Sequence, residues 1–259
     1  MLSAARRRPL VGVSLKMYFS HRRARDWFAE VADVAARHSA VAGGDVGLFV
    51  MPGYLQLLPA REAFAGTRVQ LGAQDLAAAD GGAFTGEVSG AELAEIGVRL
   101  AEVGHAERRR LFGEDDATVA AKTAAALRNG LVPVLCVGEE RAGSTRAAGA
   151  EVRRQLHAAL DEAPPGAIVV AYEPVWAIGA SGPAPIGRIR AVASELRSAL
   201  DAMPGRAGSA VLYGGSAGPG MLGELGDAVD GLFLGRFAHE PDALRLVLDE
   251  AAALAAARA

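Results

Sequence analysis

The chain has 259 residues, of which 51% are hydrophobic and 22% charged, with a formal net charge of −3. That is the profile of a globular chain with a large core. The slightly acidic balance excludes a general nucleic-acid binder, which carries a basic surplus, but not a local cationic site for a phosphate.

In chain order, the opening MLSAARRRPL has three consecutive arginines and no apolar stretch of signal-peptide length behind them. Residues 1–9 are expected to form a disordered basic tail and residues 10–259 a single unit. Short apolar, β-branched runs then recur at 10–15, 46–50, 69–72, 98–103, 132–137, 167–171, 210–213 and 231–234, bounded by Gly, Pro or polar residues. They are too short for helices and mostly continuous, as strands buried on both faces are. Between them lie Ala/Leu/Arg/Glu stretches with helical spacing, such as 22–37, 116–129, 145–161 and 186–203, and the Ala-rich end from Ala251 reads as the last helix. Strand alternating with helix implies parallel pairing. Eight such units imply an α/β fold, a single-domain (β/α)8 TIM barrel, and barrels of this size commonly form one domain. An open doubly wound sheet is the alternative.

No stretch reaches the roughly 18 uninterrupted apolar residues of a membrane helix. The single cysteine, Cys136, rules out an internal disulfide framework and fits a reducing compartment. The expectation is a cytoplasmic protein with no membrane or nucleic-acid partner.

A barrel of this type carries its active site at the C-terminal ends of the strands. Lys16 ends the first run, His105 follows the fourth and Glu173 the sixth. Gly214 and Gly215 follow the seventh, and Gly235 the eighth. A cation, an imidazole, a carboxylate and glycine turns would therefore face one cavity.

The segments that carry a resemblance are Ser14-Leu15-Lys16-Met17, Gly72-Ala73-Gln74, Gly82-Ala83-Phe84-Thr85-Gly86-Glu87-Val88-Ser89, Gly104-His105-Ala106-Glu107-Arg108-Arg109, Cys136-Val137-Gly138-Glu139, Ala171-Tyr172-Glu173-Pro174-Val175-Trp176-Ala177-Ile178-Gly179 and Tyr213-Gly214-Gly215-Ser216. In this order and spacing they resemble the triosephosphate isomerase family, from about residue 11 to residue 237. The segment ending in Ile178-Gly179 is the most specific, because it joins a catalytic carboxylate to a lid hinge.

The resemblance implies an isomerase that interconverts glyceraldehyde 3-phosphate and dihydroxyacetone phosphate through an enediolate, within glycolysis and gluconeogenesis. It implies no metal and no cofactor. Glu173 resembles the family's base, and a carboxylate suits that task once closure removes water. His105 resembles the electrophile, and this family is the standard example of a glutamate base paired with a neutral histidine. Lys16 would stabilise charge as it forms, with Glu107 contacting it. Gly179, Ser216, Gly215 and Gly235 resemble a phosphate cradle in which missing side chains let N–H groups reach the anion. The loop containing Thr85 reaches a partner subunit in the family, which implies a C2 homodimer. His21, His38 and His157 read as solvated helix residues, and His239 as a candidate rim residue.

Several positions depart from the family pattern. Ser14 and Tyr18 stand where asparagine is usual, Leu15 where tryptophan is, and Ala106 where serine is. The lid runs Gly179-Ala180-Ser181-Gly182-Pro183 in place of Gly-Thr-Gly-Lys, and Gly235-Arg236 replaces Gly-Gly. Ser14 and Ala106 lie beside the chemistry and are smaller than the usual residues. Arg236 either adds a guanidinium to the phosphate site or turns outward, and Pro183 should stiffen the far hinge by fixing φ. The intact catalytic residues with an altered recognition shell support a second reading, an isomerase of a four-carbon ketose phosphate. The triose reaction leads. A non-catalytic sugar-phosphate binder is the alternative from another class.

Overall fold

The computed structural model describes residues 7–180 and 182–258. Its strands are β1 (Leu10–Ser14), β2 (Gly47–Met51), β3 (Gln70–Ala73), β4 (Leu100–Val103), β5 (Val132–Val137), β6 (Val169–Tyr172), β7 (Ala210–Tyr213) and β8 (Gly231–Leu234). All pair in parallel and in sequence order, and β1 closes on β8 with Leu10 opposite Gly231 and Val13 opposite Leu234. The expected closed barrel is present, and the open sheet is excluded.

After β1 come helices α1 (His21–Arg37) and α2 (Ser39–Gly43), then α3 (Leu57–Ala63) after β2 and α4 (Gly90–Glu95) after β3. The chain continues with α5 (Ala106–Phe112) and α6 (Asp116–Arg128) after β4 and α7 (Thr145–Leu160) after β5. Last are α8 (Ile186–Ala202) after β6, α9 (Met221–Leu225) after β7 and α10 (Pro241–Ala257) after β8. The final helix thus begins ten residues before Ala251. Pro241 occupies its first turn, where a missing N–H costs nothing and a fixed φ is already helical. Among the described residues no helix is long and apolar enough to cross a membrane.

Two apolar layers hold the barrel. Inside it, Leu10, Phe49, Met51, Leu100, Val134, Leu212 and Phe233 fill the axis. Between strands and helices lies a larger layer that includes Val11, Val13, Phe28, Val103, Leu135, Val170 and Leu248. Phe49 and Phe233 stack at 5.8 Å. Gly12 makes room for them, since a Cβ there would sit 2.1 Å from the Phe49 ring. Alternation along each strand sends one set of side chains into each layer, so both faces read as apolar in the sequence.

Of the expected N-terminal tail, residues 1–6 lie outside the described residues. Pro9 is tied into the barrel, its carbonyl accepting from the Gly47 N–H at 2.8 Å. His21 and His157 are exposed as expected. His38 is not a solvated helix residue. Its Nδ1 accepts from the Val41 N–H at 3.4 Å and caps α2, while Nε2 lies 3.3 Å from Asp249.

Candidate active site

A cavity of about 540 Å³ opens at the C-terminal ends of the strands. Ser14, Lys16, His105, Glu107, Glu173, Gly179, Ser216, Gly235 and Arg236 all line it.

Lys16 leaves β1 with φ of 47°, a left-handed conformation that costs a non-glycine residue about 1–2 kcal/mol. Gln74 holds it there, with Nε2 donating to the carbonyls of Lys16 at 3.1 Å and Met51 at 2.9 Å. The Lys16 ammonium donates to Glu107 Oε1 at 2.8 Å. Burial works against the lysine's charge, but the Glu107 hydrogen bond and the charges of Glu107, Glu173 and Glu102 outweigh it and raise the pKa. Burial likewise works against ionised Glu107, and Lys16 reverses the balance to a lowered pKa.

His105 sits at the N-terminal end of α5, where its Nδ1 accepts from the Glu107 N–H at 3.1 Å. An acceptor at Nδ1 places the proton on Nε2 in the neutral ring. Burial, and then the charge of Lys16, push the imidazole pKa down to about 4. His105 is therefore neutral at physiological pH, with an N–H aimed into the cavity.

Glu173 follows β6 directly and is 5% exposed. Its Oε2 lies 3.4 Å from His105 Nε2 and makes no hydrogen bond among the described residues. Burial, and then the charge of Glu102, push its pKa up to about 8 against the opposing pull of Lys16. Two glycines make room for it. A Cβ on Gly138 would lie 1.9 Å from the Glu173 carbonyl oxygen, and one on Gly214 would lie 2.5 Å from Oε1.

The lid begins at Pro174 with a 3-10 turn, Val175–Ala177. Trp176 Nε1 donates to Glu139 Oε1 at 3.0 Å, and Arg188 Nη2 reaches the same oxygen at 2.8 Å. At the far hinge the Ala184 N–H donates to the Tyr213 hydroxyl at 3.2 Å. Of the altered lid sequence, Ser181 lies outside the described residues.

At the other end of the cavity, Ser216 has φ of 53° and its hydroxyl donates to the Ala177 carbonyl at 2.7 Å. Gly179 also has positive φ, at 72°, and a Cβ there would come within 4.0 Å of Arg236 Nη2. Arg236 thus turns to the lid side of the cavity rather than away from it. Gly215 does not line the cavity. Its Cβ direction points at the Tyr213 hydroxyl, 2.8 Å away, so the glycine lets the turn pack, and Gly214 is the residue that reaches the cavity. His239 is also outside the lining, packed against Phe19 with ring centres 4.6 Å apart. Thr85 lies far along an exposed loop, in a stretch where residues 81–87 are all exposed.

Nothing in the sequence reading singles out Glu102 or Arg110, yet both line the cavity. Glu102 hides inside a strand run. Strand alternation puts it on the inward face, but its charge alone is no signal, because Arg99 stands in the same run.

The arrangement supports proton transfer at carbon. Ionised Glu173 can remove a proton, the His105 Nε2–H can polarise the neighbouring oxygen, and Lys16 can offset the negative charge that develops. Glu173 can then return the proton to the adjacent carbon.

Comparison with known proteins agrees. The family model for triosephosphate isomerase matches residues 9–251. An L-erythrulose-1-phosphate isomerase from Pectobacterium atrosepticum is 51% identical, over 95% of this chain and 96% of its own. Another from Mesorhizobium japonicum is 40% identical, over 94% of this chain and 97% of its own. A triosephosphate isomerase from Symbiobacterium thermophilum is 38% identical, over 95% of this chain and 98% of its own. Fold, site and comparisons converge: the chain belongs to the triosephosphate isomerase family and is a sugar-phosphate isomerase, an intramolecular oxidoreductase.

Proposed function

We propose that the protein isomerises a small ketose phosphate through an enediolate, with Glu173 as base, His105 as electrophile and Lys16 as the stabilising cation. The observation that carries this reading is the Glu173–His105 pair, one group with raised and one with lowered pKa, 3.4 Å apart in a shared cavity. The phosphate sits among Gly179, Ser216, Gly235 and Arg236, where positive-φ backbone and a guanidinium meet, and Gly215 shapes that turn from behind.

For the substrate we favour a four-carbon ketose phosphate. Ser14 and Ala106, both small, line the cavity, and Ser14 donates its hydroxyl to Glu102 at 3.1 Å instead of offering an amide to the substrate. The relative at 51% identity is named for a four-carbon ketose phosphate. The interconversion of glyceraldehyde 3-phosphate and dihydroxyacetone phosphate is the second reading, favoured by the complete catalytic set and by the triosephosphate isomerase at 38% identity. Roles in glycolysis and gluconeogenesis follow only from that second reading. A kinetic panel of three- and four-carbon aldose and ketose phosphates decides. A higher kcat/KM for a tetrulose phosphate than for dihydroxyacetone phosphate supports the first reading. A triose kcat/KM approaching the diffusion limit, about 10⁸ M⁻¹s⁻¹, rejects it, and turnover of any of these compounds rejects the non-catalytic binder.

The working unit is a C2 homodimer in the cytoplasm. Exposed apolar side chains follow each of the adjacent strands β1 to β4 in the chain: Met17 and Tyr18, Leu55, Phe84, and Leu111 with Phe112. A second copy supplies the complementary surface, with the loop around Thr85 reaching across. The single buried cysteine supports a reducing compartment.

A further inference from the structure

We propose that Glu102, held by Ser14, is a specificity-determining residue that accepts a hydrogen bond from the additional hydroxymethyl group of a four-carbon substrate. This rests on the four-carbon reading and names the atoms that read the fourth carbon.

The position is unusual for a carboxylate. Glu102 lies on β4 two residues beyond Leu100, on the same inward face, so it crowns an axis filled below by Leu100, Val134 and Leu212. It is 4% exposed and lines the cavity floor. A carboxylate in such a place is costly unless its lone pairs are used. A carboxylate offers about four acceptor positions. Oε2 accepts from the Ser14 hydroxyl at 3.1 Å, and Oε1 has the Cys136 thiol, a weak donor, at 3.9 Å. Lys16 gives its hydrogen bond to Glu107 and acts on Glu102 only through space. Acceptor capacity therefore remains on the side that faces the cavity.

The neighbours shape the same subsite. Ser14 is short and turned toward Glu102, which clears volume beside the reacting carbons while fixing the carboxylate's orientation. Burial raises the Glu102 pKa to about 7, so above neutral pH it is a charged acceptor, and a hydroxyl is the donor that fits. A three-carbon substrate has no group to reach it. A four-carbon one carries a primary alcohol one carbon further from the phosphate.

Two other roles would leave the same residue in place. Glu102 could only anchor Ser14, or only raise the basicity of Glu173 through its charge. Raising the basicity of Glu173 acts on substrates of either length alike, so the ratio of kcat/KM values for the two lengths separates it. Anchoring Ser14 acts on volume and not on the substrate's terminal hydroxyl, so the analogue lacking that hydroxyl separates it. Hydrogen bonds to charged groups are the stronger class, and losing this one should lower the tetrulose-to-triose ratio about 10- to 100-fold in Glu102→Val. Glu102→Gln, which keeps the shape and one acceptor oxygen, should keep part of the preference.

The experiment measures kcat/KM for a tetrulose phosphate, its analogue lacking the terminal hydroxyl, and dihydroxyacetone phosphate, in wild type, Glu102→Val and Glu102→Gln, with folding checked by circular dichroism. Removal of the substrate hydroxyl should cost wild type about as much as Glu102→Val does, and should cost that variant little more. An unchanged ratio in Glu102→Val, with wild type still preferring the tetrulose, removes Glu102 from the specificity role and leaves the four-carbon reading intact. A wild type that prefers the triose rejects the four-carbon reading, and this inference with it. If Glu102→Val does not fold, the hydroxyl deletion decides. An effect that is equal in wild type and Glu102→Gln overturns the proposal, and a smaller effect in Glu102→Gln supports it.

Discussion

His105 Nε2 lies 3.4 Å from Glu173 Oε2, while its Nδ1 accepts the Glu107 N–H. The imidazole is thus fixed as a neutral donor opposite the carboxylate proposed as the base. The two groups are perturbed in opposite directions by a shared cause, burial, because burial favours the neutral form of each.

The pH dependence follows. As the proposed base Glu173 must be ionised, and its pKa is raised to about 8, so kcat/KM should climb through about pH 8 and level off above it. His105, lowered to about 4, is already neutral throughout this range and adds no limb between pH 5 and 9. Initial rates across that range check both statements. A profile flat from pH 5.5 upward would show that Glu173 ionises near its ordinary value.

Glu173→Asp should lower kcat about 100-fold or more and change KM far less. The shorter side chain retracts the carboxylate, and a misplacement of about 1 Å can cost roughly 100-fold. Steady-state kinetics on the preferred substrate test it, and a variant within about threefold of wild type removes Glu173 from the base role.

Gly214→Ala probes the same carboxylate without touching it. The new methyl would lie 2.5 Å from Glu173 Oε1 and 2.8 Å from its Cγ, so the side chain must move. The expected result is a loss of at least about tenfold in kcat with an unchanged circular dichroism spectrum. Full activity would mean that the carboxylate has a second productive position.

Assembly is tested at Thr85. It is exposed in a stretch between Gln74 and Ser89 that has no regular structure, and loops this long are commonly functional. Thr85→Arg should move the protein toward a monomer in gel filtration with light scattering, and lower activity in step. Wild type that is monomeric and fully active at micromolar concentration overturns the dimer.

The barrel was legible in the sequence because each strand is buried on both faces, which writes a continuous apolar run. All eight runs became strands, with ends shifted by up to two residues. That Lys16, His105 and Glu173 line one cavity was legible because each stands just past the end of a run, at the mouth of the barrel. Gly215 and Glu102 were not. Which of two adjacent glycines faces a cavity depends on a turn's dihedrals, and sequence does not display them. Glu102 faces inward by strand alternation, yet its run also holds Arg99, so charge alone does not mark it. The last helix starts well before its alanine run, at Pro241 in the first turn, a start signal weaker to the eye than the alanines.

The location of Cys136 has a practical consequence. The only thiol in the chain is buried inside the barrel, and its pKa is raised well above the ordinary value by burial and by the negative charges of Glu173 and Glu102. Reagents that attack thiolates have nothing to reach in the folded state. A cysteine introduced at exposed Ala180 would be the single reactive handle on the molecule. One fluorophore or spin label there could report the opening and closing of the lid during turnover, with the native cysteine left in place.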